Sequence, residues 1–155
     1  MRSVKIIFAL GAALVVLAGL GTAQAQDAMK IVQGRQAAMK QQGKDLGAVK
    51  AFLDGKGDLA GAQAGSTDLV ERVGQITNLF PPKTGMEEFP GKSGAKPAIW
   101  TEWDKFTAAQ KNALAKAQIL ETAVKGGDKA TIEAAFGDMG KNGCGGCHTP
   151  YREKI

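Results

Sequence analysis

Apolar residues recur along most of this chain at intervals of three and four, which is the period of an α-helix. Four segments show the pattern: 27–54, 66–79, 97–125 and the stretch after residue 127. No segment shows the alternation typical of a strand, and most connections are short. The sequence therefore predicts an all-α fold, an antiparallel four-helix bundle, in which facing helices can build a cofactor site.

The positions expected to face inward differ between the segments. Those of the first segment are Val32, Arg35, Met39, Gln42, Leu46, Val49 and Leu53. Those of the second segment are Leu69, Val73, Ile76 and Phe80. Those of the third are Ile99, Trp103, Phe106, Gln110, Ala113, Ala117, Leu120 and Val124. Those of the fourth are Ile132, Ala135, Phe136 and Met139. The first half of segment 27–54 places polar side chains and methionine inward, which indicates that it faces something other than hydrocarbon.

Helix boundaries are marked by capping and breaking residues. Ser66 or Thr67 is a candidate N-cap for the second helix, since the glycines from 55 to 65 predict a flexible connection before it. Pro97 suits the first turn of the third helix, and Asp128 can cap the fourth. The stretch 81–96, rich in glycine and proline, is the one long predicted loop.

Residues 1–25 have the organisation of a secretory signal peptide. Arg2 and Lys5 precede an apolar run from Ile6 to Leu20, and Ala23-Gln24-Ala25 is a small-residue cleavage site. The apolar run is shorter than the ~20 residues of a membrane-spanning helix. We therefore expect export, no stable membrane anchor after cleavage, and one mature domain over residues 26–155.

The charge pattern narrows the range of partners. The net charge is +5, and basic residues are interspersed with acidic ones rather than clustered. The sequence contains no basic run combined with aromatic residues, which is the pattern that would indicate nucleic-acid binding. We expect an ordinary solvated surface with weak attraction to an acidic partner.

Cys144-Gly145-Gly146-Cys147-His148 carries the chemistry of the chain. Cys-x-x-Cys-His is typical of c-type haem attachment, in which two thiols bond the porphyrin and the histidine binds the iron. On a helix, residues three and four apart share a face, so both thiols and the imidazole can address one haem. A zinc site would need four ligands, and the chain has no other cysteine or histidine. A thiol redox pair would need a βαβ context that is absent from the pattern.

A C-terminal Cys-x-x-Cys-His on the last of four helices resembles the cytochrome c′ family, the class II cytochromes c. Segments 35–39 and 97–100, and the run from Cys144 to Arg152, carry the resemblance. It covers nearly the whole mature chain and implies one covalent haem c, attached in the periplasm. Gly145-Gly146 differs from the residues that many members have between the cysteines.

The resemblance also implies a choice at the sixth iron position. High-spin members leave it beneath an apolar residue and bind nitric oxide or carbon monoxide, whereas low-spin members of the cytochrome c-556 type place methionine there and transfer electrons. The deciding residue, four after the first-helix arginine, is Met39. His148 is the sole histidine, so a second histidine ligand is excluded. Met39 is expected to bind the iron, although filling core space is the common role of methionine and stays open.

Two arginines complete the predicted site. An inward Arg35 needs partners, for which the haem propionates are candidates, but a surface arginine with its charge in water is equally compatible with the spacing. Arg152, four residues after His148, would lie one turn beyond it. In the family this is a basic residue near the imidazole, which implies a modest tuning role.

We therefore expect a periplasmic monohaem cytochrome with axial ligands His148 and Met39, which exchanges electrons with redox partner proteins. The alternative is a five-coordinate high-spin cytochrome c′ that binds nitric oxide or carbon monoxide. No catalytic constellation is apparent, so an enzyme is not expected. A homodimer is compatible with the resemblance.

Overall fold

A computed structural model describes the backbone of residues 15–155 and the side chains from Gln26 onward. The elements are α1 (Val15–Leu53), α2 (Leu59–Gly74), a 3₁₀ turn (Ile76–Leu79), α3 (Ala98–Thr101), α4 (Trp103–Gly126), α5 (Lys129–Asp138), a π-helical segment (Met139–Cys144) and α6 (Gly145–Tyr151). The last three follow one another without a break. The four predicted segments thus correspond to α1, α2 with its 3₁₀ turn, α3–α4, and α5–α6.

The predicted signal peptide stays a prediction. Residues 1–14 lie outside the described part of the chain, and only the backbone of residues 15–25 is described, as the first turns of α1. In the described part, no helix combines the length and the apolar character needed to cross a membrane.

The beginning of α2 differs from the prediction. Asp58, not Ser66 or Thr67, caps this helix, and its Oδ1 accepts a hydrogen bond from the N–H of Gly61 at 2.7 Å. Gly65, which we expected in a flexible connection, is buried inside α2. A Cβ there would lie 2.6 Å from the carbonyl oxygen of Asp45 in α1. The glycine therefore permits the close approach of two helices.

The third predicted helix is interrupted. Glu102 adopts φ −125° and ψ 43°, which separates α3 from α4. As a result Trp103, expected inside, is 40% exposed, whereas Trp100 is half-buried and donates from Nε1 to the carbonyl of Phe80 at 3.0 Å. Asp128 caps α5 as predicted, because its Oδ1 accepts from the N–H of Thr131 at 2.9 Å.

Most predicted inward positions form the core. The largest fully buried side chains include Leu69, Ile99, Leu120, Ile132 and Met139. An aromatic cluster joins three elements, since the Phe106 ring meets Phe80 and Tyr151 edge to face, at 5.0 and 5.2 Å between ring centroids. Such pairs stabilise a core beyond their buried area. This cluster also lines one side of the cavity described below.

Candidate haem site

A cavity of about 580 Å³ lies between α1 and the C-terminal helical stretch. This volume is within the range of cofactor and ligand pockets. Apolar residues of α2 and α4, among them Leu69, Val73 and Ala113, line its inner side. The six site residues predicted from the sequence all line it: Arg35, Met39, Cys144, Cys147, His148 and Arg152.

The Cys-x-x-Cys-His pentad occupies a helical turn, as its spacing predicted. Cys144 ends the π-helical segment, and Cys147 and His148 lie on α6. The N–H of Gly145 bonds to the carbonyl of Gly140, five residues earlier, which is the hydrogen bond that defines a π-helix. Both thiols are half-buried, His148 is exposed, and all three line the cavity. The arrangement presents both sulfurs and the imidazole to one space.

The protonation of the pentad argues against a redox-active thiol pair and suits iron binding by the imidazole. Burial raises the pKa of the Cys147 thiol to about 11, assisted by Cys144, and burial also raises the pKa of Cys144. A redox-active thiol pair instead needs a lowered pKa. Partial desolvation, and then the charge of Arg152, lower the pKa of His148, so its imidazole is neutral near pH 7 and able to bind a metal.

The described residues offer no alternative metal site of the zinc type. No group of three or more histidine, cysteine, aspartate or glutamate side chains is placed to hold an ion within residues 26–155. The pentad therefore has no additional ligands nearby with which to complete a tetrahedral site.

Met39 lies in the middle of α1 and lines the wall that faces the pentad. Among the methionines of the described residues, only Met39 and Met139 line the cavity. Met139 is 1% exposed and belongs to the same continuous helical stretch as His148. Met39 is thus the thioether that an opposing helix supplies. Whether it binds iron stays a prediction.

Arg35 is not the surface arginine that the spacing allowed, because it is only 5% exposed. Nη1 donates to the carbonyl of Leu79 at 3.2 Å and to Thr84 Oγ1 at 3.1 Å. Nη2 donates to the carbonyl of Thr84 at 2.7 Å and to Ser93 Oγ at 2.9 Å. The guanidinium carbon also lies 4.5 Å from the centre of the Phe80 ring.

These contacts use four of the five guanidinium N–H groups. The haem propionates, which are the predicted partners of Arg35, would therefore share the guanidinium with loop 81–96. The sequence did not predict contact between Arg35 and this loop. In the structure Arg35 anchors loop 81–96 to α1, and contact with a propionate stays a prediction.

Arg152 lies in a different conformation from the predicted one. The helix ends at Tyr151, and Arg152 is extended, with φ −121° and ψ 134°, rather than on a further helical turn. It forms an isolated antiparallel bridge with Ala95, while the N–H of Glu153 donates to the carbonyl of Gly94 at 2.7 Å. The tail thus pairs with the long loop. Its guanidinium is nevertheless near enough to His148 to lower the pKa of that imidazole.

Gln42 is a cavity residue to which the sequence assigned no role. It lines the cavity one turn after Met39, and its Nε2 is buried with no hydrogen-bond partner among the described residues. The polar inward position was visible in the sequence, but not the missing partner. An apolar-lined cavity with two thiols, one imidazole and one unpaired amide donor fits a porphyrin that has both apolar faces and polar substituents.

This combination of fold and site defines a helical-bundle cytochrome of the c type. The family model described as Cytochrome C' matches residues 30–152. The chain is 34% identical to cytochrome c′ of Rubrivivax gelatinosus, over 79% of this chain and 94% of that protein. It is 32% identical to cytochrome c-556 of Agrobacterium tumefaciens (strain II Chrys), over 79% of this chain and 97% of the relative.

A solved structure, cytochrome c′ from Rhodobacter Spheriodes, superposes with a TM-score of 0.73 at 29% identity, covering 83% of this chain and 98% of the other. The chain belongs to the cytochrome c′ family. The predicted fold is confirmed, since these structural neighbours are four-helix bundles. The predicted cofactor is confirmed as well: the family binds one covalent haem c, and Cys144 and Cys147 are the cysteines available for its attachment.

Proposed function

We propose that the protein is a periplasmic carrier of single electrons, with His148 and Met39 on the two sides of the haem iron. The observation that carries this proposal is the position of Met39 in the middle of α1, on the cavity wall that faces the pentad. The periplasmic location is supported by the family, whose members are periplasmic in bacteria. The relative named cytochrome c-556 supports the methionine-ligated type.

The residues of the chain fit this task. Haem iron held by histidine and methionine supplies a one-electron couple, whose potential the thioether raises. Rigid placement on α1 and α6 would hold both ligands in either oxidation state. The apolar residues Leu69, Val73 and Ile99 exclude water from the inner side of the cavity, which also favours a raised potential. The proposal assigns the site to electron exchange with protein partners rather than to catalysis.

A second candidate function is the binding of nitric oxide or carbon monoxide at an open sixth position. The comparisons favour this candidate over the first, because most members of the family are high-spin and bind these gases. Met39 would then pack in the distal cavity without binding iron, as methionine often does in cores. The two candidates therefore differ in one bond.

Absorption spectroscopy of the holoprotein distinguishes them. A methionine ligand gives a sharp reduced α band and a weak long-wavelength ferric band that marks sulfur coordination; an open site gives a broad high-spin spectrum. Met39→Ala should convert the first spectrum to the second. Met86 does not line the cavity, so Met86→Ala is the matched control and should leave the spectrum of the unmodified protein unchanged. A high-spin spectrum in the unmodified protein would replace the first candidate with the second.

A further inference from the structure

The cavity wall opposite the pentad contains one buried side-chain amide whose hydrogen-bonding capacity is unused. Within residues 26–155, two buried side-chain atoms lack a hydrogen-bond partner, Gln42 Nε2 and Thr107 Oγ1. Only Gln42 lines the cavity. A buried amide without a partner costs free energy, and such groups in native proteins usually have an explanation. The bound molecule is the explanation that this location offers.

Two neighbouring glutamines of α1 have hydrogen-bond acceptors for their side-chain amides, whereas Gln42 has none. Gln36 Nε2 donates to the carbonyl of Lys92 at 2.7 Å, and Gln41 Nε2 donates to Asp45 Oδ1 at 3.0 Å. Both amides fix α1 to the protein or to itself. Gln42 has the same side chain on the same helix, but its donor group is enclosed without an acceptor. It lies three residues after Met39, so both side chains belong to one face of α1.

We propose that Gln42 is the specificity-determining donor on the side of the haem opposite His148. It donates from Nε2 to a small ligand that presents a hydrogen-bond acceptor atom, such as nitric oxide, when that ligand occupies the sixth position. Arg35 and Gln36 on this wall already donate to loop 81–96, whereas the buried amide of Gln42 has no acceptor. A donor left free in this way favours ligands with a good acceptor atom. The proposal rests on the haem site described above and applies whenever the sixth position is free of Met39.

The test uses the holoprotein in a Met39→Ala background, so that the sixth position is open under either candidate function. Carbon monoxide is the probe, because a donor near its oxygen strengthens electron donation from iron into the ligand and lowers the C–O stretching frequency. Gln42→Leu in this background should raise that frequency. It should also make carbon monoxide or nitric oxide dissociate about fivefold faster, as the loss of one neutral hydrogen bond predicts.

Gln41→Leu is the matched control, because its amide already has an acceptor and does not line the cavity. It should leave the stretching frequency and the dissociation rate unchanged. Equal shifts in the Gln41 and Gln42 variants, or none in either, would overturn the proposal. So would an unchanged frequency combined with an altered reduction potential, since Gln42 would then serve a propionate. The spectrum of the unmodified protein decides the proposed function, whereas the Gln42 variants are compared in the Met39→Ala background, so the two proposals fail separately.

Discussion

Arg35 donates two hydrogen bonds to Thr84. Its Nη1 donates to the Thr84 hydroxyl at 3.1 Å, and its Nη2 donates to the Thr84 carbonyl at 2.7 Å. The two residues are 49 positions apart, and together they connect the middle of α1 to the long loop. The guanidinium lies among buried groups, and this burial lowers the pKa of Arg35 below its ordinary value. Its hydrogen bonds therefore have to compensate for a desolvated charge.

Replacement of Arg35 by leucine should free the loop. The carbonyl of Thr84 and the hydroxyl of Ser93 would lose their charged donor, and hydrogen bonds to charged groups contribute about 1.5–3 kcal/mol each in favourable cases. We expect the free energy of unfolding of the holoprotein to fall by about 3 kcal/mol and protease cleavage within 81–96 to become faster. Urea denaturation and limited proteolysis measure these effects. Ser93→Ala removes one of the four Arg35 bonds together with the bonds of the hydroxyl to the Thr84 carbonyl and the Ala95 N–H, and should cost about 1–2 kcal/mol.

Gly65→Ala should destabilise the bundle because a Cβ at this position has no room. It would lie 2.6 Å from the carbonyl oxygen of Asp45 and 3.0 Å from the Cβ of Ala48, both in α1. Overpacking of this kind costs about 1–3 kcal/mol. Gly47→Ala is the control, since nothing lies within 4 Å of its Cβ, and it should stabilise α1 by up to about 1 kcal/mol. Equal effects in thermal unfolding would show that helix propensity, not the close approach, matters at Gly65.

The ion pair between α1 and α2 should respond asymmetrically to mutation. Asp45 is 5% exposed and Arg72 39% exposed, with Arg72 Nε 2.9 Å from Asp45 Oδ2. Arg72→Leu leaves a buried carboxylate without its cation, and we expect a loss of about 2 kcal/mol. Asp45→Leu leaves an arginine that can turn to water, and should cost less. The double variant should be more stable than Arg72→Leu alone, and denaturant titration of all three checks this order.

The cap of α5 should contribute to stability only above acidic pH. The hydroxyl of Thr131, and then its backbone N–H, hold the pKa of Asp128 below its ordinary value. A lowered folded-state pKa means that the contribution is complete above the unfolded pKa, about 4, and disappears as the pH falls through the folded value. Asp128→Ala should thus be less stable than the parent at pH 7. The difference should shrink below pH 4, whereas a constant difference would mean that the charge has no part in the cap.

The sequence predicted the four-helix architecture because the inward positions repeat at helical spacing, and it predicted the attachment site because the pentad is specific. It misplaced the beginning of α2, since glycine at position 65 indicates a loop locally and close helix packing only in the folded molecule. The partners of Arg35 come from a loop about 50 residues away, and no local pattern encodes that contact. Spacing likewise placed Arg152 on a helix that ends one residue earlier.

The π-helical segment fixes how the two halves of the last helix are turned relative to each other. Ile132 and Ala135, before the segment, are buried in the core, whereas Cys147 and His148, after it, line the cavity. In an α-helix each residue adds about 100° of rotation. If the same residues followed a regular α-helix, every residue after the wide turn would therefore be displaced by about one position, and both thiols would turn by about 100° away from the space they now share. The wide turn closed by the hydrogen bond from Gly145 to Gly140 is what lets one helix serve both the apolar core and the haem site.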